Sequence, residues 1–426
     1  MPAKSLQELV TYARKNSPFY AELYRDVPER ISRITQLPIV DQIEFWAANT
    51  WRNNRLLTGP VTDGAVYKTG GTTGRPKLSP WTRTEHYDSV SAFGAGIARA
   101  GLKPGHKVAN LFRAGELYAG FLYIEHALLN APVENVRLAV SGTAPDEYVA
   151  DLIAHLDINV LCGEPMRLSA IAEFIVRRGQ TADSVELLLS GGDILFSDLK
   201  PILTRAFPKA AMASVGYASV DAGLVGTPVA GDDVRVHEPF PNATLVEILD
   251  ETTDEPITAL GVPGRVVVTN LFRTLMPIIR YPVGDRAEWV DLERQRFRLV
   301  GRTTEGARVG MIAMPTEDIR EVLIAADPGN YITGMQMVQR RWDNKDGLLI
   351  RLARVEEPPT ELTQQLIDAV YKARPLYPDE VREGRAHPLE IEWVSRSELV
   401  TNPLTGKLKQ VVDERPHAPV IPEQRS

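Results

Sequence analysis

The chain has 426 residues, a length that suggests two or three domains and is ample for burying a large core. Its 48 basic and 55 acidic residues give a net charge of −7, which argues against nucleic acid or an anionic membrane as partner, because such partners require basic surfaces. The single cysteine, Cys162, excludes an internal disulfide and a multi-cysteine zinc site, and it fits a cytoplasmic protein. The N-terminal stretch lacks the apolar core of a secretory signal, and no run of about 18 apolar residues predicts a membrane span.

Periodic apolar residues predict helices and strands along the first half of the chain. Spacings of three and four predict a helix from Leu6 to Ala13, which ends before Pro18. The segment from Arg30 to Arg55 has no clear period, and we expect irregular structure there. From Lys107 to Val215, apolar strands alternate with helices of about 10–14 residues, which is typical of βαβ units in a parallel sheet with helices on both faces.

The pattern changes in the second half. Short strands separated by Asp, Gly and Pro turns, between Ala230 and Val300, predict an antiparallel section, with a barrel as one possibility. After Gly301, a hairpin, a helix and a last strand predict a smaller domain. We therefore expect an α/β N-terminal domain with parallel βα sheets and a small antiparallel β section over residues 1–301, and an α+β C-terminal domain over residues 302–426.

The most informative stretch is a loop rich in glycine and threonine, TGGTTGRPK, from Thr69 to Lys77. Its glycines let backbone amides turn inward, its threonines add hydroxyl donors, and its basic residues add positive charge, a combination that suits a phosphate chain. It is not a Walker A loop, because Arg75 and Pro76 separate Gly74 from the lysine. A plain glycine turn between two strands is the alternative.

This loop resembles the phosphate-binding loop of the AMP-forming adenylate enzymes, which include acyl-CoA synthetases, peptide-synthetase adenylation domains and luciferases. Glycine stands at position 70, where that family has a second serine or threonine. The opening LQELVTYARKNSPFYAELY and the short chain resemble the phenylacetate-CoA ligase-like members. The resemblance implies that the loop binds ATP through Thr69, Gly70, Gly71, Thr72, Thr73, Gly74 and Lys77.

Further motifs of the same family follow in order. Residues 190–193, SGGD, resemble its Ser-Gly-Gly-Glu segment beside adenine and the acyl pocket, and residues 217–221, YASVD, replace its Tyr-Gly-x-Ser/Thr-Glu. Val220 lacks the hydroxyl that the family has at its position, whereas aspartate in place of glutamate keeps an oxygen ligand for a hard cation. The resemblance implies nucleotide contacts from Gly191, Gly192, Asp193, Tyr217, Ala218 and Ser219, and a magnesium ligand at Asp221.

The last motifs concern the ribose, the hinge and the catalytic lysine. The resemblance implies that Asp285 and Arg302 contact ribose, that residues 302–304 form the hinge, and that Gly310 faces the thiol-binding tunnel. Residues 402–407, NPLTGK, resemble the loop whose lysine bridges the acid carboxylate and the phosphate. We therefore expect Lys407 to be catalytic, with Lys409 as its neighbour and competitor.

An acid pocket is expected after the second predicted strand. Aromatic and glycine residues there resemble the segment that lines the pocket in phenylacetate-CoA ligase-like enzymes, and arginine can pair with an anionic or hydroxylated acid. Alternatively, the aromatic residues line no pocket and are only the buried face of a helix. The expected pocket residues are Phe112, Arg113, Gly115, Tyr118, Ser190 and Gly216.

The resemblance implies an ATP- and Mg²⁺-dependent enzyme that converts a carboxylic acid into an acyl-adenylate, and the phenylacetate-CoA ligase-like members imply that this acid is aromatic. A thiol, with CoA as the first choice, then displaces AMP after the small domain rotates. Two alternatives remain: an aryl-acid activating enzyme of secondary metabolism that passes the acyl group to a carrier protein or an amine, and a non-catalytic nucleotide-binding homologue. A homodimer is possible.

Overall fold

The computed structural model describes residues 4–69, 77–302, 306–310 and 312–415. The chain divides into two compact units. The first comprises Met1–Leu195, Ile202–Thr303 and Asn402–Lys407, and the second comprises Phe196–Pro201, Thr304–Thr401 and Leu408–Ser426. Residues 303 and 304 of the predicted hinge, residues 302–304, lie outside the described residues, so the domain boundary and the hinge stay predictions.

The first unit begins with short helices. Ser5 and Glu8 form a capping box that starts the first helix, and the helix buries Leu9, Val10 and Ala13 on one face, as the spacing of these residues predicts. The segment expected to be irregular does contain a helix, whose first amides are accepted by the side chain of Asp41. The elements are α1 (Leu6–Asn16), α2 (Pro18–Leu23), a 3₁₀ turn (Ile34–Gln36) and α3 (Gln42–Ala48).

A hairpin and a long helix follow. The hairpin strands β1 (Gly64–Lys68) and β2 (Leu78–Thr82) pair antiparallel, with Lys68 opposite Leu78. The Thr69 amide donates to the Lys77 carbonyl at 3.1 Å, so the two ends of the predicted phosphate loop meet at the hairpin tip. Helix α4 (Arg83–Arg99) starts immediately after β2. The predicted loop residues 70–74 lie outside the described residues.

A buried carboxylate holds α4 against the connection after residue 270. Glu85 is 3% exposed, and its Oε1 accepts the amides of Thr274 at 2.6 Å and Leu275 at 2.8 Å. The guanidinium of Arg273 is fully buried and lies 3.6 Å from the centroid of the Trp81 ring. The charge of Arg273 and these hydrogen bonds together hold the pKa of Glu85 below its ordinary value, despite the burial that raises it.

We expect Glu85→Ala to lower the free energy of unfolding by about 3–5 kcal/mol, because the change removes the acceptor of the Thr274 and Leu275 amides and the negative charge that offsets the buried Arg273 guanidinium. The pKa of Glu85 is lowered on folding, so its contribution to stability is complete above the ordinary glutamate pKa and is lost as the pH falls through the folded value. Denaturant unfolding at neutral and acid pH measures both effects. Arg83→Ala, on the same helix but in an exposed ion pair with Asp63, is the matched control and should change little. Equal losses in the two variants would contradict the assignment.

The expected parallel sheet is confirmed. Its strand order is β4-β3-β5-β6-β7, every neighbouring pair is parallel, and β5 and β6 are buried throughout. The elements are β3 (His106–Asn110), α5 (Gly120–Leu129), β4 (Asn135–Ala139), α6 (Asp146–Leu156), β5 (Val160–Gly163), α7 (Pro165–Arg177), β6 (Leu187–Ser190), a 3₁₀ turn (Ser197–Leu199), α8 (Lys200–Ala206) and β7 (Ala211–Ser214).

The apolar pattern predicts a helix over residues 116–129 and a strand over residues 132–136, and both elements begin later than that. Glu116 and Leu117 have φ values of 47° and 63°, in the left-handed region that a right-handed helix excludes. The residues from Glu116 to Ala119 therefore form a loop, and the helix starts at Gly120. Strand β4 also begins later than expected, at Asn135.

The antiparallel section is a seven-stranded sheet with strand order β11-β12-β13-β14-β10-β9-β8. Among the described residues its end strands, β11 and β8, are not paired with each other, so the sheet is open and not a closed barrel. Register shifts interrupt the pairing of β12 with β13 and of β13 with β14. The strands are β8 (Tyr217–Ser219), β9 (Gly223–Pro228), β10 (Val236–Pro239), β11 (Thr244–Leu249), β12 (Gly264–Asn270), β13 (Ile278–Asp291) and β14 (Arg296–Arg302).

The second unit has its own apolar core around a four-stranded mixed sheet of order β19-β18-β17-β20. Strands β17 and β18 form the expected antiparallel hairpin, and each outer strand is parallel to its neighbour. The elements are β15 (Gly306–Val309), β16 (Ile312–Pro315), α9 (Thr316–Ala325), β17 (Gly334–Trp342), β18 (Lys345–Ala353), α10 (Leu362–Ala373), α11 (Leu376–Arg382), β19 (Glu390–Val394), a 3₁₀ turn (Arg396–Glu398) and β20 (Val411–Asp413).

The predicted fold class, an α/β part with parallel and antiparallel sheets and a smaller α+β part, is confirmed. None of the helices in the described ranges is long and apolar enough to cross a bilayer.

Candidate active site

The carboxyl ends of the parallel strands gather the first group of predicted site residues. Ser190 ends β6, Gly191 and Gly192 follow it, and Phe112 follows β3 two residues after Asn110. The Gly191 amide donates to the Gly163 carbonyl at 3.2 Å, which continues the sheet to its edge. Ligands of open α/β sheets bind outside this edge, so the geometry places these residues where such a site is expected.

Gly192 is the point at which three side chains converge. A Cβ atom built on it would lie 3.5 Å from Glu164 Cγ, 3.6 Å from Phe112 Cε1 and 3.7 Å from Lys407 Cε. Its φ of +78° also disfavours any side chain. Glycine here therefore lets an aromatic ring, a carboxyl and an ammonium group approach the same backbone position.

The loop that carries Lys407 belongs to the first compact unit by its contacts. The side chain of Asn402 accepts the amides of Leu404 at 2.9 Å and Thr405 at 3.1 Å. Arg113 Nη1 donates to the Pro403 carbonyl at 2.8 Å. The structure thus brings Arg113 and Lys407 to the same place, with Arg113 on the backbone of the lysine loop; its pairing with the acid stays a prediction.

Sequence reasoning missed Glu164. This residue follows β5 directly, is 2% exposed, and its Oε1 has no hydrogen-bond partner among the described residues. Burial raises the pKa of its carboxyl to about 7, whereas hydrogen bonds from the backbone amides of Glu164 and Arg113 and the positive charges of Lys407 and Arg113 act in the opposite direction. A glutamate placed directly after the buried strand VLCG, at the ligand-binding edge of a parallel sheet, was the available signal.

Gly115 and Tyr118 lie on a cavity of about 490 Å³, which Tyr67, His86 and His126 also line. Phe112, Ser190 and Gly216 are not among the residues that line it. Burial raises the pKa of the Tyr118 hydroxyl, and the negative charges of Glu164 and Asp193 raise it further. Tyr118 is therefore close enough to Glu164, one of the residues beside Gly192, to feel its charge. The predicted acid-pocket residues therefore fall into two neighbouring groups.

The predicted adenine and ribose residues lie together on the antiparallel sheet. The Tyr217 hydroxyl donates to Asp285 Oδ2 at 2.5 Å, and Asp285 is paired with Arg302 in the register of β13 and β14. Gly216 has a φ of +124°, and a Cβ on it would meet the Phe93 ring at 2.9 Å. Two predicted ribose contacts and the predicted adenine-stacking residue are thus neighbours.

Three other residues predicted to bind the nucleotide are described: Ala218 and Ser219 of the 217–221 motif, and Lys77 of the phosphate loop. The Ser219 hydroxyl accepts the Ala222 amide at 3.1 Å, and Ala218 is exposed. Lys77 Nζ lies 5.4 Å from the centroid of the Trp46 ring. Nucleotide binding by these residues stays a prediction.

Asp221, the predicted magnesium ligand, is held by two donors. Tyr281 Oη donates to its Oδ2 at 2.9 Å, and the Ala222 amide donates to its Oδ1 at 3.1 Å. Within the described ranges, no group of three or more His, Cys, Asp or Glu residues can hold a metal ion. One carboxylate fits magnesium where phosphate oxygens and water supply the other ligands, which is how Mg²⁺ commonly binds beside a nucleotide.

Gly310 and Lys409 belong to the second unit. Gly310 lies at the turn between β15 and β16 with a φ of +58°, and its amide donates to Asp346 Oδ2 at 3.0 Å. No atom lies within 4 Å of a Cβ built on Gly310 among the described residues, so its backbone is accessible. Lys409 is exposed, and its amide donates to the Val400 carbonyl at 3.0 Å.

Comparison with known proteins supports the resemblance that the motifs indicate. No family model matches the chain. It is 25% identical over 393 residues to a phenylacetate-coenzyme A ligase of Thermus thermophilus, a match that covers 86% of this chain and 84% of the relative. A phenylacetate-coenzyme A ligase of Pseudomonas putida is 21% identical over 304 residues, which cover 69% of this chain and 67% of the relative.

Among solved structures, 2-hydroxyisobutyryl-CoA ligase in its postadenylation state, in complex with 2-HIB-AMP, matches with a TM-score of 0.71 and 17% identity over 96% of this chain and 88% of that one. The same ligase with 2-HIB-AMP and CoA matches with a TM-score of 0.60 and 18% identity over the same shares of the two chains. These matches show a common fold, and with the sequence matches they confirm the recognition made from the motifs.

Proposed function

We propose that this chain, as a member of the AMP-forming adenylate enzymes, is an acid–thiol ligase. It joins a carboxylic acid to the α-phosphate of ATP, releases pyrophosphate, and passes the acyl group from the adenylate to a thiol, with AMP as the second product. The observation that carries the proposal is the approach of Lys407 to Gly192 at the carboxyl edge of the parallel sheet, in a chain similar to phenylacetate-CoA ligases over most of its length.

The residues act on charge and position. Attack by the acid carboxylate on the α-phosphate brings two anionic groups together, and the Lys407 ammonium stabilises that charge in the transition state. Asp285 holds the ribose hydroxyls, and Tyr217 orients its carboxylate through the 2.5 Å hydrogen bond. Asp221 would hold Mg²⁺, which neutralises phosphate charge when it is bound.

An aromatic acid is the substrate class that we propose. Phe112 and Tyr118 are both buried and belong to the loop between β3 and α5, and we propose that they pack against the ring of the acid. The two similar ligases are named phenylacetate-coenzyme A ligases. CoA is the proposed thiol, since the relatives are CoA ligases, and Gly310 is the proposed tunnel residue. We propose that the enzyme is cytoplasmic. We also propose that the second unit rotates about residues 302–304 before the thiol displaces AMP.

One alternative keeps the adenylation step and changes the acceptor. Val220 stands where the family has a hydroxyl, and glycine stands at position 70 in the phosphate loop. These departures favour a specialised enzyme of secondary metabolism that transfers an aryl acid to a carrier protein or an amine. Acyl-CoA formation much faster than either transfer would contradict it.

The test is acid-dependent pyrophosphate release from ATP and Mg²⁺ across aryl, arylacetic and short aliphatic acids, each with and without CoA. Release that depends on an aromatic acid, with acyl-CoA formed when CoA is present, is the expected result. Release with aliphatic acids alone would contradict the substrate class. ATP binding by calorimetry without release for any acid would indicate a non-catalytic nucleotide-binding homologue.

A further inference from the structure

Glu164 is a buried acceptor that the adenylation chemistry does not use. Its Cγ and the Cε1 atom of Phe112 lie 3.5 Å and 3.6 Å from a Cβ built on Gly192, and Oε1 lacks a hydrogen-bond donor among the described residues. A buried polar atom without a partner destabilises the folded state, so such an atom in a native protein calls for an explanation, and a role at a functional site is one. The residue is also the N-cap of α7, but its side chain makes no capping hydrogen bond, so helix capping does not explain it.

We propose that Glu164 selects acids that carry a hydrogen-bond donor, a hydroxyl or an amino group, close to the reacting carboxylate. This inference rests on the proposed function and names the substrate class within it. The donor group of the acid supplies the partner that Oε1 lacks. Acids without a donor leave that oxygen buried and unpaired.

The position of the hydrogen-bond donor on the acid follows from the positions of Lys407 and Glu164 beside Gly192. Lys407 Cε and Glu164 Cγ both approach the same backbone atom, at 3.7 Å and 3.5 Å from a Cβ built there. Lys407 takes the carboxylate of the acid, so a group that reaches Glu164 at the same time stands on a carbon one or two bonds from the carboxyl carbon. On an arylacetic acid this is the α-carbon, and on a benzoic acid it is the ortho position.

The charges of Glu164 and of the substrate carboxylate also favour an acid that carries a hydrogen-bond donor. The Glu164 carboxyl has a pKa of about 7, so near neutral pH it is poised between the two protonation states. A second fixed carboxylate beside the substrate carboxylate would repel it, whereas a donor on the substrate compensates the negative charge of Glu164. Oε1 accepts a hydrogen bond more strongly in the ionised state.

The experiment compares kcat/KM for pyrophosphate release with matched acids: phenylacetate against its α-hydroxy and α-amino derivatives, and benzoate against its ortho- and para-hydroxy and -amino derivatives. We expect the wild type to favour the α or ortho donor over the parent acid by at least about tenfold, and over the para donor as well. Glu164→Leu should abolish this preference, so that the donor-bearing acid and its parent acid are used with similar kcat/KM. Glu164→Gln, which keeps an acceptor oxygen, should retain part of it.

Glu173→Gln is the matched control, because Glu173 is a buried glutamate on the same helix, roughly 13 Å further along its axis. It should keep the wild-type preference. A merely structural or lysine-positioning role for Glu164 predicts that Glu164→Leu slows every acid by the same factor, and that result overturns the proposal, as does equal use of paired acids by the wild type. A melting temperature for each variant excludes unfolding, and Glu164→Gln serves if the leucine variant does not fold.

Failure of the proposed function has a different signature. If no acid supports pyrophosphate release, the ligase assignment fails, and calorimetry of the paired acids with enzyme loaded with α,β-methylene-ATP tests the selectivity by itself. Tighter binding of the donor-bearing acid, lost in Glu164→Leu, supports the proposal. Equal binding of the pair, or binding of neither acid, overturns it.

Discussion

Lys407→Ala is expected to reduce acid-dependent pyrophosphate release by about 10²–10³-fold in kcat, because it removes a preorganised positive charge from the point where two anions react. The ammonium stem lies against Gly192, and the loop that carries it is held by Asn402 and by Arg113, so the alanine variant should fold normally. Pyrophosphate release under saturating ATP and acid measures the loss.

Two controls make this result specific. Lys409→Ala changes an exposed lysine two residues away and should leave the rate within about twofold, since exposed charges contribute little. Chemically supplied acyl-adenylate with CoA should still give thioester in Lys407→Ala, because that half-reaction forms no bond to the α-phosphate. A larger loss in Lys409→Ala, or equal loss of both half-reactions in Lys407→Ala, would show that another group stabilises the adenylation transition state.

Asp285→Ala is expected to raise the KM for ATP by about 10–100-fold, which corresponds to the roughly 1.5–3 kcal/mol of hydrogen bonds to a charged group. The carboxylate is the proposed acceptor for both ribose hydroxyls, and alanine can accept neither. Initial rates with varied ATP at saturating acid measure the effect.

Deoxynucleotides separate loss of the ribose contact from a general disturbance. In the wild type, 2′-deoxy-ATP and 3′-deoxy-ATP should each be used with a higher KM than ATP, and in Asp285→Ala this difference should largely disappear. Tyr217→Phe, which keeps the carboxylate but removes the hydroxyl that donates to it at 2.5 Å, should give a smaller rise in KM. Full discrimination against the deoxynucleotides in Asp285→Ala would refute the ribose assignment.

The spacing of apolar residues predicted helices and strands well where that spacing alone decides the structure. The periodic apolar residues from Leu6 to Ala13 became a helix, and the uniformly apolar strands VLCG and LLLS became buried parallel strands. The start of α5 was predicted too early, because the left-handed φ values of Glu116 and Leu117 have no signature in hydrophobic spacing. The possible barrel was wrong for a similar reason, since closure depends on how far a sheet curves, which no single strand reveals.

In the functional site, too, some features were readable from local sequence and others depended on the fold. Motifs with a fixed spacing, such as the glycine-threonine loop and the GK pair ending at Lys407, were legible in the chain and indicated the superfamily that the comparisons support. Glu164 was not, because a glutamate after a strand looks like any helix start until the strands are assembled. Its significance comes from residues 112, 192 and 407, which are far apart in the chain and meet at one point.

The sequence by itself therefore determined the chemistry class, the element types and the order of the motifs, because each depends on residues within a few positions of one another. The tertiary structure decided which groups share a site: that Tyr217 donates to Asp285, that Tyr281 donates to Asp221, that Arg113 holds the lysine loop, and that a carboxyl with a raised pKa lies beside Lys407. The physical reason is that hydrogen bonding, burial and charge coupling act through distances in space, and parallel-sheet topology brings together residues that the chain keeps far apart.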